Sequence, residues 1–261
     1  MSFRASLKLH WRGAVAAMGS PLGLSLPMPF TQSFKRNRPP ALARRAQAAL
    51  LLIAFAGLTG CESGPKVPDW NVNAIGHVDR FTEAWLKGDQ RVARREFDLA
   101  RAETARTGRP ELVARIELNR CAAQVASLDF QPCAGFEPLR QDAGDAERAY
   151  AAYLAGQPLS PAQAALLPEQ HRATATGPGA LPPATDPFAR LIAAGVLLHR
   201  TQASPAVVEQ AVETASAQGW RRPLLAWLGV QARLAEERGD AQEAARIRRR
   251  MDLVGPESHG S

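Results

Sequence analysis

Apolar side chains recur every three or four positions in most of residues 71–254, which is the spacing of one face of an α-helix. The first such segment, residues 71–87, places them at Val72, Ile75, Val78, Phe81 and Trp85. Alanine is abundant and isoleucine is scarce, and no convincing stretch alternates apolar and polar residues as a half-buried β-strand does. The sequence therefore predicts an all-α fold of antiparallel helical hairpins.

Capping residues, glycines and prolines divide this region into segments. Gly88 ends the first helix and Asp89 can cap the second, while the Asp-Pro at 186–187 and the Ser-Pro at 204–205 are typical helix starts. These signals predict helices over 71–87, 90–107, 110–126, 145–155, 160–167, 187–200, 205–218, 222–238 and 240–254.

The basic charge of the chain lies in its first 60 residues. They carry eight basic side chains and no acidic one, namely Arg4, Lys8, Arg12, Lys35, Arg36, Arg38, Arg44 and Arg45. The rest of the chain has 24 basic and 25 acidic side chains, although the whole chain has a net charge of +7. A nucleic-acid partner needs a basic surface, so this distribution predicts that residues 61–261 do not bind nucleic acid.

An uncharged apolar run of thirteen residues, AQAALLLIAFAGL, covers 46–58 directly after Arg44 and Arg45. It is shorter than the ~20 residues that span a bilayer, but it has the length of a signal-peptide core. The run ends in L-T-G-C at 58–61, which resembles the lipobox of bacterial lipoproteins. That resemblance implies cleavage before Cys61 and acylation of Cys61. An ordinary signal peptide, or a short buried helix that ends in cysteine, is the alternative.

The same resemblance predicts a protein held in the lipid bilayer by acylated Cys61 and facing the periplasm. Glu62 follows the cysteine where inner-membrane members of the family commonly carry aspartate, which favours the outer membrane over the inner. Since sixty residues are long for such a leader, we expect translation to start at Met28, with Met18 as the alternative.

The predicted leader and helices divide the chain into five parts. Residues 1–60 are the predicted leader and signal peptide, and 61–70 are a short tether rich in proline and glycine. Residues 71–155 are the N-terminal helical region and 188–254 the C-terminal helical region. The part between them, 156–187, contains seven prolines and three glycines and is predicted to be an irregular connection.

Two further cysteines remain if Cys61 is lipidated. An even number of cysteines in an oxidising compartment predicts a disulfide between Cys121 and Cys133. Closing a loop of this length contributes about 3 kcal/mol in the chain-entropy model. A metal or redox pair, or two free thiols, are the alternatives. Neither a C-x-x-C spacing nor a nearby histidine supports the metal or redox pair.

Two predicted helix pairs share a turn pattern. Gly88-Asp89 precedes Ala93, and Gly239-Asp240 precedes Ala244, so that a small residue stands five positions after each glycine. This pattern resembles the helix–turn–helix unit of tetratricopeptide repeats, in which the small residue lets two antiparallel helices approach closely. Further matching positions are Phe97, Ala100, Ala232 and Pro256. Another α-helical hairpin fold is the alternative.

The sequence after residue 60 contains no nucleophile elbow, zinc-ligand spacing, P-loop, dinucleotide loop or EF-hand loop. We therefore predict no catalytic residue, no metal site and no cofactor. Expectations for single side chains are a core-edge position for His77 and His199, a loop position for His171, burial for Trp220 and Trp227, and a solvated face for Arg246, Arg248, Arg249 and Arg250.

The leader and the helical body together favour an interaction or scaffold module of the cell envelope, with envelope proteins as its partners. An envelope enzyme or enzyme subunit, for example one acting on peptidoglycan, is one alternative. A carrier that holds a small ligand in an apolar helical cavity is the other.

Overall fold

The computed structural model describes residues 67–177, 181 and 186–255. This part of the chain forms ten α-helices, one short 3₁₀ helix at Glu137–Leu139 and no strand. The helices are α1 (Asp69–Lys87), α2 (Gln90–Ala105), α3 (Pro110–Ala126), α4 (Asp145–Leu154), α5 (Pro161–Leu166), α6 (Glu169–Thr176), α7 (Pro187–His199), α8 (Pro205–Gln218), α9 (Arg221–Glu237) and α10 (Ala241–Val254). The predicted all-α class and its helical hairpins are confirmed.

The turn between α1 and α2 forms as its residues predict. Gly88 takes a left-handed conformation with φ of 89°, which a residue without a side chain adopts at little cost. The Asp89 carboxylate accepts a hydrogen bond of 3.0 Å from the backbone N–H of Val92 and caps α2. Phe81 and Phe97 then meet between the two helices, with ring centroids 5.5 Å apart. The hairpin is therefore closed by the Gly88-Asp89 turn at one end and by the contact of Phe81 with Phe97 between the two helices.

The predicted apolar face of α1 is wrong at its first position. Val72 is 57% exposed, whereas Val78 and Phe81 are buried. Each step of three residues falls about 60° short of a full helical turn. The three steps from Val72 to Phe81 therefore turn the side chain to about the opposite side of the helix.

Helix boundaries agree with the predicted ones to within about two residues. The structure corrects the predicted five-part division of the chain in two places. Helix α1 begins at Asp69, so residues 69–70 are helical and do not belong to the tether. The connection over 156–187 is not irregular throughout, because it contains α5 and also α6, which the sequence pattern did not indicate. Pro187 opens α7. Residues 1–66, with the predicted leader, Cys61 and most of the predicted tether, lie outside the described residues.

Helix α3 lies in the interior and contacts α1, α2, α4 and α7. Eleven of its seventeen residues are buried, so it has no single apolar face. Its last turn lies against Gly195 of α7, where even a Cβ atom would come within 3.0 Å of the carbonyl carbon of Val125. The missing side chain of Gly195 thus allows the two helix backbones to pack closely.

Two clusters of buried side chains hold these helices together. The larger cluster joins side chains of α1, α3, α4 and α7–α10, from Leu86 to Ile247. The smaller one fills the space between α1, α2 and α3 around Phe81, Phe97 and Ile116. The predicted N-terminal and C-terminal helical regions therefore share one core. None of the described helices combines the length and the apolar character that crossing a bilayer requires.

Candidate interaction surfaces

Cys121 and Cys133 are brought to disulfide distance. Cys121 is buried in α3 and Cys133 lies in the loop that follows the helix, with the two Cα atoms 5.7 Å apart. Three residues further along, the Phe136 side chain is fully buried. A covalent link here would hold the loop of residues 127–136 against the middle of α3. Cys61 lies outside the described residues.

Glu117 is a buried carboxylate bound by two arginines. Its side chain is 4% exposed and lies 2.9 Å from Arg101 Nε of α2 and 2.7 Å from Arg120 Nη2 of α3. The Arg120 guanidinium also lies over the Phe97 ring, 4.5 Å from its centroid. Ionic contacts compensate the cost of burying the carboxylate. One negative charge between two positive ones leaves a net positive charge on this side of α2 and α3.

A histidine and an arginine of α1 bind one carboxylate of α2. His77 Nδ1 and Arg80 Nε each lie 2.7 Å from Glu96 Oε2. Burial alone would raise the pKa of Glu96. The hydrogen bonds with His77 and Arg80 together lower it by more than burial raises it, so the net pKa lies below 4.5. His77 is thus at the edge of the core, as predicted, and its contact joins α1 to α2.

His171 lies in helix α6, where the sequence predicted a loop, and it is only 2% exposed to solvent. Its Nδ1 is 3.3 Å from the Tyr153 hydroxyl, and its ring lies 5.8 Å from that of Tyr150. Burial raises the pKa of both tyrosines, so both stay neutral at physiological pH. Arg200 lies over Tyr153 and donates a hydrogen bond of 2.7 Å to the Gln157 carbonyl. This polar cluster joins α4, α6 and the end of α7.

An open groove of about 410 Å³ runs between the start of α7 and the outer face of α8. It is lined by Pro187, Arg190, Glu209, Gln210, Glu213, Thr214, Ala217 and Gln218. Glu209 and Glu213 stand one helical turn apart, and both are exposed. Neither forms an ion pair with another described residue. The groove therefore presents two available carboxylates beside apolar surface.

The remaining predicted side chains lie largely as expected. Trp220 and Trp227 are buried. Arg246 forms an ion pair of 2.7 Å with Glu243, and Arg248 pairs with Glu236, which agrees with a solvated face on α10. His199 differs from its predicted core-edge position, because it is exposed at the end of α7, with its ring stacked on Phe130 at 4.4 Å.

Among the described residues, no three histidine, cysteine or acidic side chains are arranged to hold a metal ion. Comparison of the chain with protein-family models, with curated protein sequences and with solved structures finds no match.

Proposed function

We propose that this chain is a lipoprotein of the cell envelope whose helical body binds other envelope proteins. The observation that carries the proposal is the order of three elements: Arg44-Arg45, an uncharged, mostly apolar run of thirteen residues, and L-T-G-C ending at Cys61. Cleavage before Cys61 and its acylation would anchor the helices at the outer membrane, facing the periplasm.

The packing of the first and last hairpins supports a tetratricopeptide-like binding body. Ala93 and Ala244 are both buried where α2 and α10 leave their Gly-Asp turns, as close packing of paired helices requires. Arrays of such hairpins offer grooves to peptide segments of other proteins. Glu209 and Glu213 would make the α7–α8 groove complementary to a segment that carries lysine or arginine.

The anchor is tested by labelling cells with a palmitate analogue and separating their membranes. We expect label on the wild-type protein in the outer-membrane fraction and none on Cys61→Ser. Cys133→Ser serves as the control, since it removes a cysteine but keeps the lipidation residue. Unlabelled wild-type protein, or label that persists in Cys61→Ser, would contradict the proposal.

The binding surface is tested by photocrosslinking in cells. A photoreactive amino acid in place of Gln210, in the groove, is expected to capture an envelope protein, whereas the same residue in place of Glu237, exposed at the end of α9, is not. The double variant Glu209→Lys, Glu213→Lys should lose the Gln210 adduct because it repels a basic segment. Equal capture from both positions would show that the groove is not the binding surface.

A further inference from the structure

The exposed side of α2 is an arginine face, formed by Arg91, Arg94, Arg95 and Arg101. With 3.6 residues per turn, these residues share one side of the helix. The buried residues Ala93, Phe97, Ala100 and Thr104 occupy the opposite side. Asp98 is the one acidic residue among the exposed residues of α2. Asp98 falls on the same side, so the face carries four positive charges and one negative one, although residues 61–261 as a whole have slightly more acidic than basic side chains.

Most of this positive charge is not neutralised within the fold. Arg91, Arg94 and Arg95 form no ion pair with another described residue. Arg101 is paired, but it shares the Glu117 carboxylate with Arg120. On the basic helix α10, Arg246 and Arg248 each have an acidic partner of their own, while Arg249 and Arg250 form no ion pair with another described residue. The arginine face thus has charge available for an anionic partner.

This face also belongs to the hairpin that follows the proposed anchor. Only seven residues separate Cys61 from Asp69, the first residue of α1. Fully extended, that segment spans at most about 28 Å. Helix α2 is antiparallel to α1, and its sixteen residues extend about 24 Å. A membrane surface that holds Cys61 is therefore within reach of the whole arginine face.

We propose that the arginine face lies on the anionic phospholipid surface of the membrane in which Cys61 is anchored, and so sets the orientation of the helical body. The inference rests on the proposed lipid anchor. Guanidinium groups bind phosphate oxygens in a bidentate manner, and basic residues close to an anionic bilayer are attracted to it. With α2 against the lipid, the α7–α8 groove is left for protein partners.

The test uses the full chain, extracted from cell membranes and reconstituted into vesicles. A photoreactive amino acid replaces Ala102, which is exposed and falls on the arginine face, or Gln242, which is exposed on α10. The vesicles contain phosphatidylcholine alone or a mixture with phosphatidylglycerol. We expect lipid adducts at Ala102 in the mixed vesicles, fewer at Gln242, and loss of the Ala102 adducts in high salt.

Two triple variants make the test specific. Arg91→Gln, Arg94→Gln, Arg95→Gln should reduce the Ala102 lipid adducts on the order of tenfold or more, since each arginine near an anionic surface contributes about fivefold. Arg246→Gln, Arg249→Gln, Arg250→Gln removes three charges from α10 and should leave the Ala102 adducts unchanged. Far-UV circular dichroism checks that both variants remain helical.

The failure of the anchor and the failure of the orientation give different results. Palmitate label is measured on the same samples, and its absence would contradict the anchor and with it this inference. Labelled protein with no lipid adduct at Ala102 would overturn the inference alone. Equal adducts in both kinds of vesicle, or equal loss in both triple variants, would also overturn it. Adducts of Ala102 with a protein instead of lipid in intact cells would assign the face to a protein partner.

Discussion

A single missing side chain sets the distance between α3 and α7. Gly195 lies against the backbone of Val125, where a Cβ atom would be about 3.0 Å from the carbonyl carbon. Backbone atoms deep in a packed interface cannot move aside as a flexible side chain can, so these two helices have no room for another atom.

We therefore expect Gly195→Ala to lower the free energy of unfolding by about 1–3 kcal/mol, the usual cost of overpacking a core. Urea unfolding followed by circular dichroism measures it. Gly229→Ala on α9 is the matched control. Its Cβ would have its nearest neighbour at 3.9 Å, so alanine's helix propensity should make that variant up to about 1 kcal/mol more stable. Equal effects of the two changes would contradict the close approach.

The Glu96 carboxylate makes stability depend on pH in a specific direction. Burial raises its pKa, but His77 and Arg80 lower it to a net value below 4.5. A carboxyl group with a lowered folded-state pKa stabilises the fold above its unfolded pKa. That contribution is lost as the pH falls through the folded pKa.

We expect Glu96→Gln to be less stable than the wild type at pH 7, with the difference shrinking as the pH falls below 4.5. Thermal unfolding at several pH values measures it. Glu213→Gln, which removes an exposed and unpaired carboxylate, should show no such convergence. A Glu96→Gln difference that stays constant down to pH 3 would mean that the ion pairs do not act on the folded state.

At the scale of helices, the chain between α3 and α4 is held by a few long-range contacts. Cys133 lies beside Cys121, Phe136 is buried, and the Arg115 guanidinium binds Glu147 at 2.6 Å. The Phe130 ring of this loop also stacks on His199 of α7. A bond between the two cysteines would add a covalent constraint to these contacts.

We expect the double variant Cys121→Ala, Cys133→Ala to lose about 3 kcal/mol of unfolding free energy, because closure of the loop no longer restricts the unfolded chain. Reductant should bring the wild type to the same stability and leave the double variant unchanged. Cys61→Ser should unfold like the wild type under both conditions. A wild type that is insensitive to reductant would mean that the two thiols are free.

Helix α9 connects the ends of the described chain. The Arg222 side chain donates a 2.8 Å hydrogen bond to the Trp85 carbonyl of α1, and its guanidinium lies 4.3 Å from the centroid of the Trp85 ring. Trp227 donates a hydrogen bond of 3.2 Å to the Ala126 carbonyl at the end of α3. Through these contacts the C-terminal helices pack on the N-terminal ones.

At the scale of the molecule, the packing of the C-terminal helices on the N-terminal ones predicts cooperative unfolding. The larger buried cluster contains side chains of α1, α3, α4 and α7–α10, so loss of either predicted helical region would expose the core of the other. We expect tryptophan fluorescence and far-UV circular dichroism to report one coincident transition in urea. Two separate transitions would mean that residues 71–155 and 188–254 are independent units.

The sequence by itself determined the all-α class and most helix boundaries. Those properties depend on neighbours in the chain: apolar spacing, an Asp or Ser cap, and a glycine that can adopt a left-handed turn, as at Asp89 and Gly88. It also pointed to the pairing of Cys121 with Cys133, since few pairings were possible. Helix α6 was missed because it begins after Pro168 without a side-chain cap, whereas the shorter α5 begins at the Ser160 capping box.

Only the tertiary structure decided which surfaces are buried and which charges are paired. The interior position of α3 and the burial of His171 depend on helices that are distant in sequence. The same holds for the arginine face. Helical spacing alone puts its arginines on one side of α2, but only the packing of α2 on α1 and α3 leaves that side exposed, pairs Arg101 with Glu117 and leaves Arg91, Arg94 and Arg95 available.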